Sequence, residues 1–183
     1  ADQPESTDQP KDADQQERAD QPESADRQAQ PQQAAPAAAA APARNIITVI
    51  NNAATALKLT LKDVKIDVSD TGGIATNGKA ALSVQGNGNV EIELDGNNEL
   101  KSGPHRAGLE KNTSTSTGTL TLKDDNQKAG SLKATGGQFG AGIGGVENGN
   151  GKNITINGGT VTAKGGVLGA GIGGGIDGSG SNV

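Results

Sequence analysis

The 183-residue sequence has no cysteine, methionine, tryptophan or tyrosine, and Phe139 is its one phenylalanine. A chain without cysteine avoids thiol chemistry, which suits an exported protein. Without large aromatic side chains, stacked Leu, Ile, Val and Ala must supply nearly all of the buried surface. The sequence therefore predicts a slim aliphatic core, and it lacks the aromatic platforms expected of a processive sugar-cleaving groove.

Long apolar runs and basic patches are also missing. No stretch is long enough to span a bilayer or to form the hydrophobic part of a signal peptide. The chain carries a net charge of −5, and residues 1–45, with nine acidic and four basic side chains, account for all of it. We therefore expect no membrane insertion in this fragment and no nucleic-acid partner, which would require concentrated Lys and Arg.

Residues 1–45 differ from the rest of the chain in composition. They hold six of the seven prolines and none of the 29 glycines, and ADQPES occurs at both 1–6 and 19–24. Such a segment cannot bury enough apolar surface to offset its ordering entropy. We interpret it as a disordered, acidic Pro/Gln/Ala-rich tail or spacer, with a docking peptide as the alternative.

The remainder is built from a repeat. GAGIGG occurs at 140–145 and 169–174, a spacing of 29 residues that is typical of stacked supersecondary units. Older copies appear as short runs in which apolar and polar residues alternate, the period of a half-buried strand. The first run of each unit lies at 57–61, 90–94, 119–122 and 153–156, the second at 64–67, 99–102, 131–134 and 160–163, and the third at 80–84, 106–109 and the two GAGI segments.

This order of strand, turn, strand, glycine-rich corner and strand predicts the fold class. No segment after Arg44 has a helical period, and units of about 30 residues fit one coil of a parallel β-helix. We predict an all-β, right-handed parallel β-helix of about four coils over residues 46–183; a repeating antiparallel sandwich is the alternative. The final Ser181-Asn182-Val183 matches the start of another first run, so we expect a C-terminally truncated, N-terminal fragment.

The repeat also resembles a known family. Units ending in GAGIGG, with the phrases at 93–103 and 154–163, are similar to the β-helical, carbohydrate-binding-type repeat domains of Gram-positive bacterial surface proteins. The resemblance implies an extracellular location, at the bacterial cell surface or secreted. It also implies a glycan or a host or cell-surface protein as partner, and some relatives bind calcium.

The glycines of the two GAGIGG copies formally match a dinucleotide-binding fingerprint, but no helix follows them and a cofactor site would not recur every 29 residues. We predict no bound cofactor and assign these glycines to a corner that needs either positive φ or close approach between coils. They are Gly140, Gly142, Gly145, Gly169, Gly171 and Gly174.

Carboxylates in the turns are candidate calcium ligands, because hard cations take oxygen ligands from flexible loops. Stacking of the units would bring Asp63, Asp95 and Asp124 to one edge, with Asp125 beside them, and Asp177 lies in a sequence close to a calcium-binding nonapeptide. The alternative is that all five are ordinary turn residues, since Asp is favoured in turns for backbone reasons.

Nothing in the sequence assembles a catalytic site. His105 is the sole histidine, has no nucleophile beside it and is expected on a loop surface, and the pair Asp67 and Asp70 has no second pair near it. We predict a non-catalytic, adhesin-like surface module without catalytic residues. A passive stalk that presents a downstream domain is the first alternative, and a polysaccharide-degrading enzyme the second.

Overall fold

A computed structural model describes residues 41–183, which form a parallel β-solenoid of about four coils. The predicted disordered tail falls largely on residues 1–40, which lie outside the described residues. The strands are β1 (Ile47–Ile50), β2 (Leu57–Lys62), β3 (Lys65–Asp67), β4 (Leu82–Gln85), β5 (Val90–Lys101), β6 (Leu109–Glu110), β7 (Leu120–Lys123), β8 (Gly130–Thr135), β9 (Ile143–Gly144), β10 (Gly151–Lys152), β11 (Ile154–Ile156), β12 (Thr160–Lys164), β13 (Ile172–Gly173) and β14 (Gly180–Ser181).

The three predicted runs of each unit stack on the equivalent runs of the next unit. First runs pair in the order β2, β5, β7, β11, second runs in the order β3, β5, β8, β12, and third runs in the order β4, β6, β9, β13, with β1 next to β4. All of these ladders are parallel, which confirms the β-helix and excludes the antiparallel sandwich. One difference is that β5 continues through the turn predicted at 95–98.

Apolar side chains alternate with polar ones along the strands and form continuous rows inside the solenoid. One row joins Leu59, Ile92, Leu122 and Ile156 across four coils. Ile92 and Leu122 are fully buried, whereas Leu59 and Ile156 in the outer coils are partly exposed. The aliphatic core predicted from the composition is therefore present as stacked ladders.

Asn98 is a polar exception within these ladders. It pairs with Leu132 of the next coil and is 3% exposed. Its side-chain amide donates to the carbonyl oxygens of Leu61, Asp95 and Ser131, and its Oδ1 accepts from the backbone N–H of Val64. Both polar atoms of the Asn98 side chain therefore have partners, and these hydrogen bonds compensate for the desolvation of the buried amide while they join adjacent coils.

Close packing, and not positive φ, requires glycine at five of the six predicted corner positions, with Gly171 the exception. None of the six predicted corner glycines has φ above zero, so close approach is the predicted reason that the structure supports for them. A Cβ on Gly142 would lie 2.6 Å from the Gly171 carbonyl oxygen and the Lys164 nitrogen, whereas a Cβ on Gly171 would have its nearest neighbour at 3.1 Å. Positive φ occurs instead at Gly144 and Gly173, at 129° and 131°, which the sequence analysis did not single out.

Candidate functional site

A cleft of about 370 Å³ opens between loops of the second and third coils. Its volume lies near the lower end of the range for small-molecule sites. The residues that line it are polar apart from Val146 and Gly149, and they are Asn112, Thr113, Ser114, Val146, Glu147, Asn148, Gly149 and Asn150. We name this feature the 112–150 cleft.

The first wall of the cleft, residues 112–114, is held by its own loop and by the neighbouring coils. The backbone N–H groups of Thr115 and Ser116 both donate to the Asn112 carbonyl oxygen. The fully buried Lys111 donates from Nζ to the carbonyl oxygen of Ser116 at 3.0 Å, and this hydrogen bond joins the two ends of the loop. The Ser/Thr-rich loop is therefore a fixed structure that presents Thr113 and Ser114 to the cleft.

The second wall follows directly from the first GAGIGG copy. Asn148 has φ of 54°, a conformation that asparagine tolerates better than most residues, and it turns the chain back toward the solenoid. The Thr113 N–H donates to the Asn150 carbonyl oxygen at 3.0 Å, which joins the two walls. The Asn150 side chain accepts from the N–H and hydroxyl of Ser179, so the next coil supports this wall from outside.

Glu147 supplies the one charged group among the residues that line the cleft. Its Oε2 lies 2.6 Å from His105 Nδ1, and its backbone N–H donates to the His105 carbonyl oxygen. The other ring nitrogen of His105 lies 3.0 Å from the carbonyl oxygen of Ile74. Three coils are thus joined through one imidazole ring, and the ring holds one carboxylate oxygen of Glu147.

The prediction that His105 lies on a loop surface is wrong. It is 7% exposed, and its ring centroid lies 5.5 Å from that of Phe139, with the planes inclined at 46°. Its backbone φ of 68° turns the side chain inward between loops that are distant in sequence. A surface position was expected because these loops, at 74 and 147, cannot be seen to converge in the linear sequence.

Several polar groups of the cleft remain available to a ligand. Among the described residues, no hydrogen bond engages Glu147 Oε1, the Thr113 and Ser114 hydroxyls or the Asn148 amide. The Glu147 side chain is one-third exposed. Amides, hydroxyls and a carboxylate both donate and accept hydrogen bonds, so this set matches the hydroxyl groups of a polyol or sugar.

The outer faces of the first and second strand stacks differ from the cleft because their charges are already paired across coils. Lys123 Nζ lies 3.5 Å from Glu91, and Lys58 lies 3.7 Å from the same carboxylate. Lys133 and Lys101 similarly flank Glu99 at 3.3 and 3.4 Å. Such exposed pairs contribute about 0–1 kcal/mol each, and they leave fewer free polar groups for a partner.

A second polar cluster is centred on the buried carboxylate of Glu110. Glu110 is 3% exposed and accepts from an Arg106 guanidinium nitrogen at 2.9 Å and from the Ser83 hydroxyl at 3.4 Å. Burial raises the pKa of the Glu110 carboxyl, with Arg106 opposing the shift. Within residues 41–183, Glu110 Oε2 and Arg106 Nε have no hydrogen-bond partner, while Glu110 Oε1 accepts from both Arg106 and Ser83.

Lys111 makes the stability of the protein depend on pH in the alkaline range. Burial lowers the pKa of its ammonium group, so the native state releases this proton before the unfolded state does. Stability should therefore rise with pH from the lowered pKa up to about 10.4, the value of an unperturbed lysine. Urea unfolding at several pH values should show this rise in the wild type relative to Lys111→Met. Parallel pH profiles for the two proteins would contradict it.

Asp63, Asp95, Asp124 and Asp125, four of the predicted calcium ligands, lie in turns of adjacent coils, with an offset of one residue between the first two turns. Asp95 pairs with Lys62 rather than with Asp63, the Asp63 backbone N–H donates to the Asp95 carbonyl oxygen at 3.2 Å, and the Asp63 carboxylate lies against Gly96 of the next coil. Each carboxylate in these turns has a protein donor: Asn97 N–H for Asp63, the Asn126 amide for Asp95, Gly130 N–H for Asp124 and Lys123 for Asp125.

These donors explain the titration behaviour of two of the carboxylates. The hydrogen bond from Asn126 lowers the pKa of Asp95, and that from Lys123 lowers the pKa of Asp125. Asp177 is exposed in a turn with φ of 56°, in the place that Asn148 occupies one coil earlier. Residues 41–183 contain no group of three or more acidic, histidine or cysteine side chains placed to hold a metal ion, and calcium binding stays a prediction.

Residues 41–183 also contain no helix with the length and hydropathy needed to cross a membrane.

Comparison with known proteins bears on the last two coils. Residues 128–150 and 154–176 each match the model of a protein family described as a beta helix repeat. No curated protein and no solved structure matches the chain. The matched segments contain β8 with β9 and β11 with β12 and β13, so they coincide with the stacked units of the structure. The two matched segments therefore resemble a beta helix repeat in sequence, and they form parts of the third and fourth coils of the solenoid.

Proposed function

We propose that this protein is a non-catalytic, adhesin-like repeat module of a bacterial surface protein that binds glycan in the 112–150 cleft. The observation that carries the proposal is the set of unengaged amide, hydroxyl and carboxylate groups in that cleft. The remaining outer surface of the first two strand stacks is largely occupied by its own ion pairs. A sugar offers donors and acceptors on one ring and would satisfy such groups together.

A binding role is favoured over a hydrolytic one by the number of carboxylates. Most glycoside hydrolases use two, about 5–10 Å apart, on either side of the scissile bond. Glu147 is the one carboxylate that lines the cleft, and Glu110 is closed off by Arg106 and Ser83. The cleft therefore has the hydrogen-bonding capacity of a binding site without a second acid or base.

The alternative of a passive stalk is favoured by the regular coil-to-coil register. Each coil continues the ladders of the preceding one, and charge pairs such as Glu99–Lys133 join adjacent coils. Such a solenoid is a rigid spacer whose length grows with the number of repeats. An extracellular location, with the protein at the cell surface or secreted, belongs to both versions of the proposal and agrees with the absence of cysteine.

A glycan array probed with the wild type and two matched variants tests the proposal. Asn148→Gly removes a side chain that lines the cleft and keeps a residue that tolerates positive φ. Asp177→Gly is the matched control, because it makes the same kind of change at the equivalent turn of the next coil, outside the cleft. We expect glycan binding by the wild type and by Asp177→Gly, with a loss of about tenfold in Asn148→Gly. Arrays run with and without calcium also test the predicted cation.

An empty array would overturn the glycan-binding proposal and leave the stalk. Equal binding by all three proteins would place the glycan outside the 112–150 cleft.

A further inference from the structure

We propose that the 112–150 cleft selects sugar residues that carry a free amine, and that Glu147 binds the ammonium group. This inference rests on the proposed function, because it names the class of glycan that the same cleft would take. The evidence is the charge of the lining, the free oxygen of Glu147 and the way in which His105 holds that carboxylate.

The lining of the cleft carries one negative charge and no positive one. Neither lysine nor arginine is among its eight residues. Of the basic side chains close in sequence, Lys111 donates to the Ser116 carbonyl oxygen and Arg106 to Glu110, and Lys152, two residues after Asn150, is not among the lining residues. An anionic sugar would meet the Glu147 carboxylate, which has no lysine or arginine beside it in the described part of the chain, whereas an ammonium group would meet its natural partner.

The free oxygen of Glu147 is available in a fixed position. Oε2 is bound by His105 Nδ1, and no protein donor among residues 41–183 engages Oε1. The two ring nitrogens of His105 face two acceptors, Glu147 and the Ile74 carbonyl oxygen, so the ring cannot turn without losing both contacts. His105 is thus a positioning residue, and a carboxylate that is already oriented loses little entropy on binding.

The other cleft groups complete the recognition of an amino sugar. An ammonium group is a triple donor, and one carboxylate oxygen satisfies only part of it. The side-chain oxygens of Thr113, Ser114 and Asn148 lie in the same lining and accept hydrogen bonds. N-acetylation replaces the ammonium with a neutral amide and adds bulk, so it removes the charge-assisted contact with Glu147.

The test uses calorimetric titration of the full chain with two oligosaccharides of equal length and linkage, one of glucosamine and one of N-acetylglucosamine. We expect the glucosamine oligomer to bind at least about tenfold more tightly, as one charge-assisted hydrogen bond allows. That preference should shrink as salt is added, because the cleft is open to solvent. In Glu147→Gln, which keeps the size of the side chain, the preference should vanish.

Asp177→Asn is the control for net charge, since it removes an exposed carboxylate outside the cleft. It should keep the preference of the wild type. Melting curves of all three proteins show whether the variants are folded, and the wild-type comparison stands even if Glu147→Gln is not.

The outcomes separate this inference from the proposed function. Equal or tighter binding of the N-acetylated oligomer by the wild type would overturn the inference and leave glycan binding intact. A preference that persists in Glu147→Gln would overturn the role of Glu147. Binding of neither oligomer by a protein that binds other glycans on the array would overturn the inference alone, and a blank array would overturn both.

Discussion

Replacing Gly144 with alanine should lower the free energy of unfolding by about 3 kcal/mol or more. Gly144 has φ of 129°, a conformation that residues with a Cβ rarely adopt. The added Cβ would also collide with the carbonyl oxygen of Gly173 in the next coil. Strain and collision act together, and the rigid stack of parallel strands cannot move one coil away without breaking others.

Urea denaturation followed by circular dichroism measures this effect. Gly171→Ala is the matched control, because its nearest neighbour would lie 3.1 Å away and its φ is not positive. We expect Gly171→Ala to shift the midpoint much less than Gly144→Ala. If the two variants unfold at the same denaturant concentration, neither positive φ nor close approach between coils restricts position 144 to glycine.

Replacing Leu122 with alanine should destabilise the protein by about 2–5 kcal/mol. Leu122 is fully buried in the ladder with Ile92 and Ile156, and its removal leaves a cavity that stacked backbones cannot close. Thr121, the preceding residue, points to the opposite face and is partly exposed. Thr121→Ala should change the free energy of unfolding by about 0.5 kcal/mol or less.

Thermal and chemical unfolding of the two variants compares adjacent residues of one strand. Similar losses at positions 121 and 122 would contradict the alternation of buried and exposed faces on which the solenoid depends.

The fold could be predicted from the sequence because the repeat places each strand at an equivalent position. Local alternation marks the strands, and the 29-residue spacing of GAGIGG sets the register of the last two coils. The register of the earlier coils was harder to see, because their turns differ in length. In the structure Lys62 pairs with Asp95 and Asp63 lies beside Gly96, a register that the sequence did not reveal.

The cleft could not be predicted because it depends on contacts between coils. His105 and Glu147 are 42 residues apart, and neither has a motif that marks it. The sequence contained two signals, a Ser/Thr-rich loop at 113–117 and a carboxylate two residues after the first GAGIGG copy. Their relation is visible only in the folded solenoid, which brings them to one cleft. The glycine corner was likewise predicted only in part. Close approach between coils was expected, but the positive φ of Gly144 and Gly173 was not.

The most direct test of a glycan-binding cleft is a two-dimensional ¹H–¹⁵N NMR titration of the full chain with the glucosamine oligomer. We expect the largest chemical-shift changes at the backbone amides of residues 112–114 and 146–150. Smaller changes should occur at His105, because it contacts Glu147. Amides on the outer faces of β5, β7 and β8 should stay in place. Shift changes concentrated on those faces, with the cleft amides unmoved, would contradict the account.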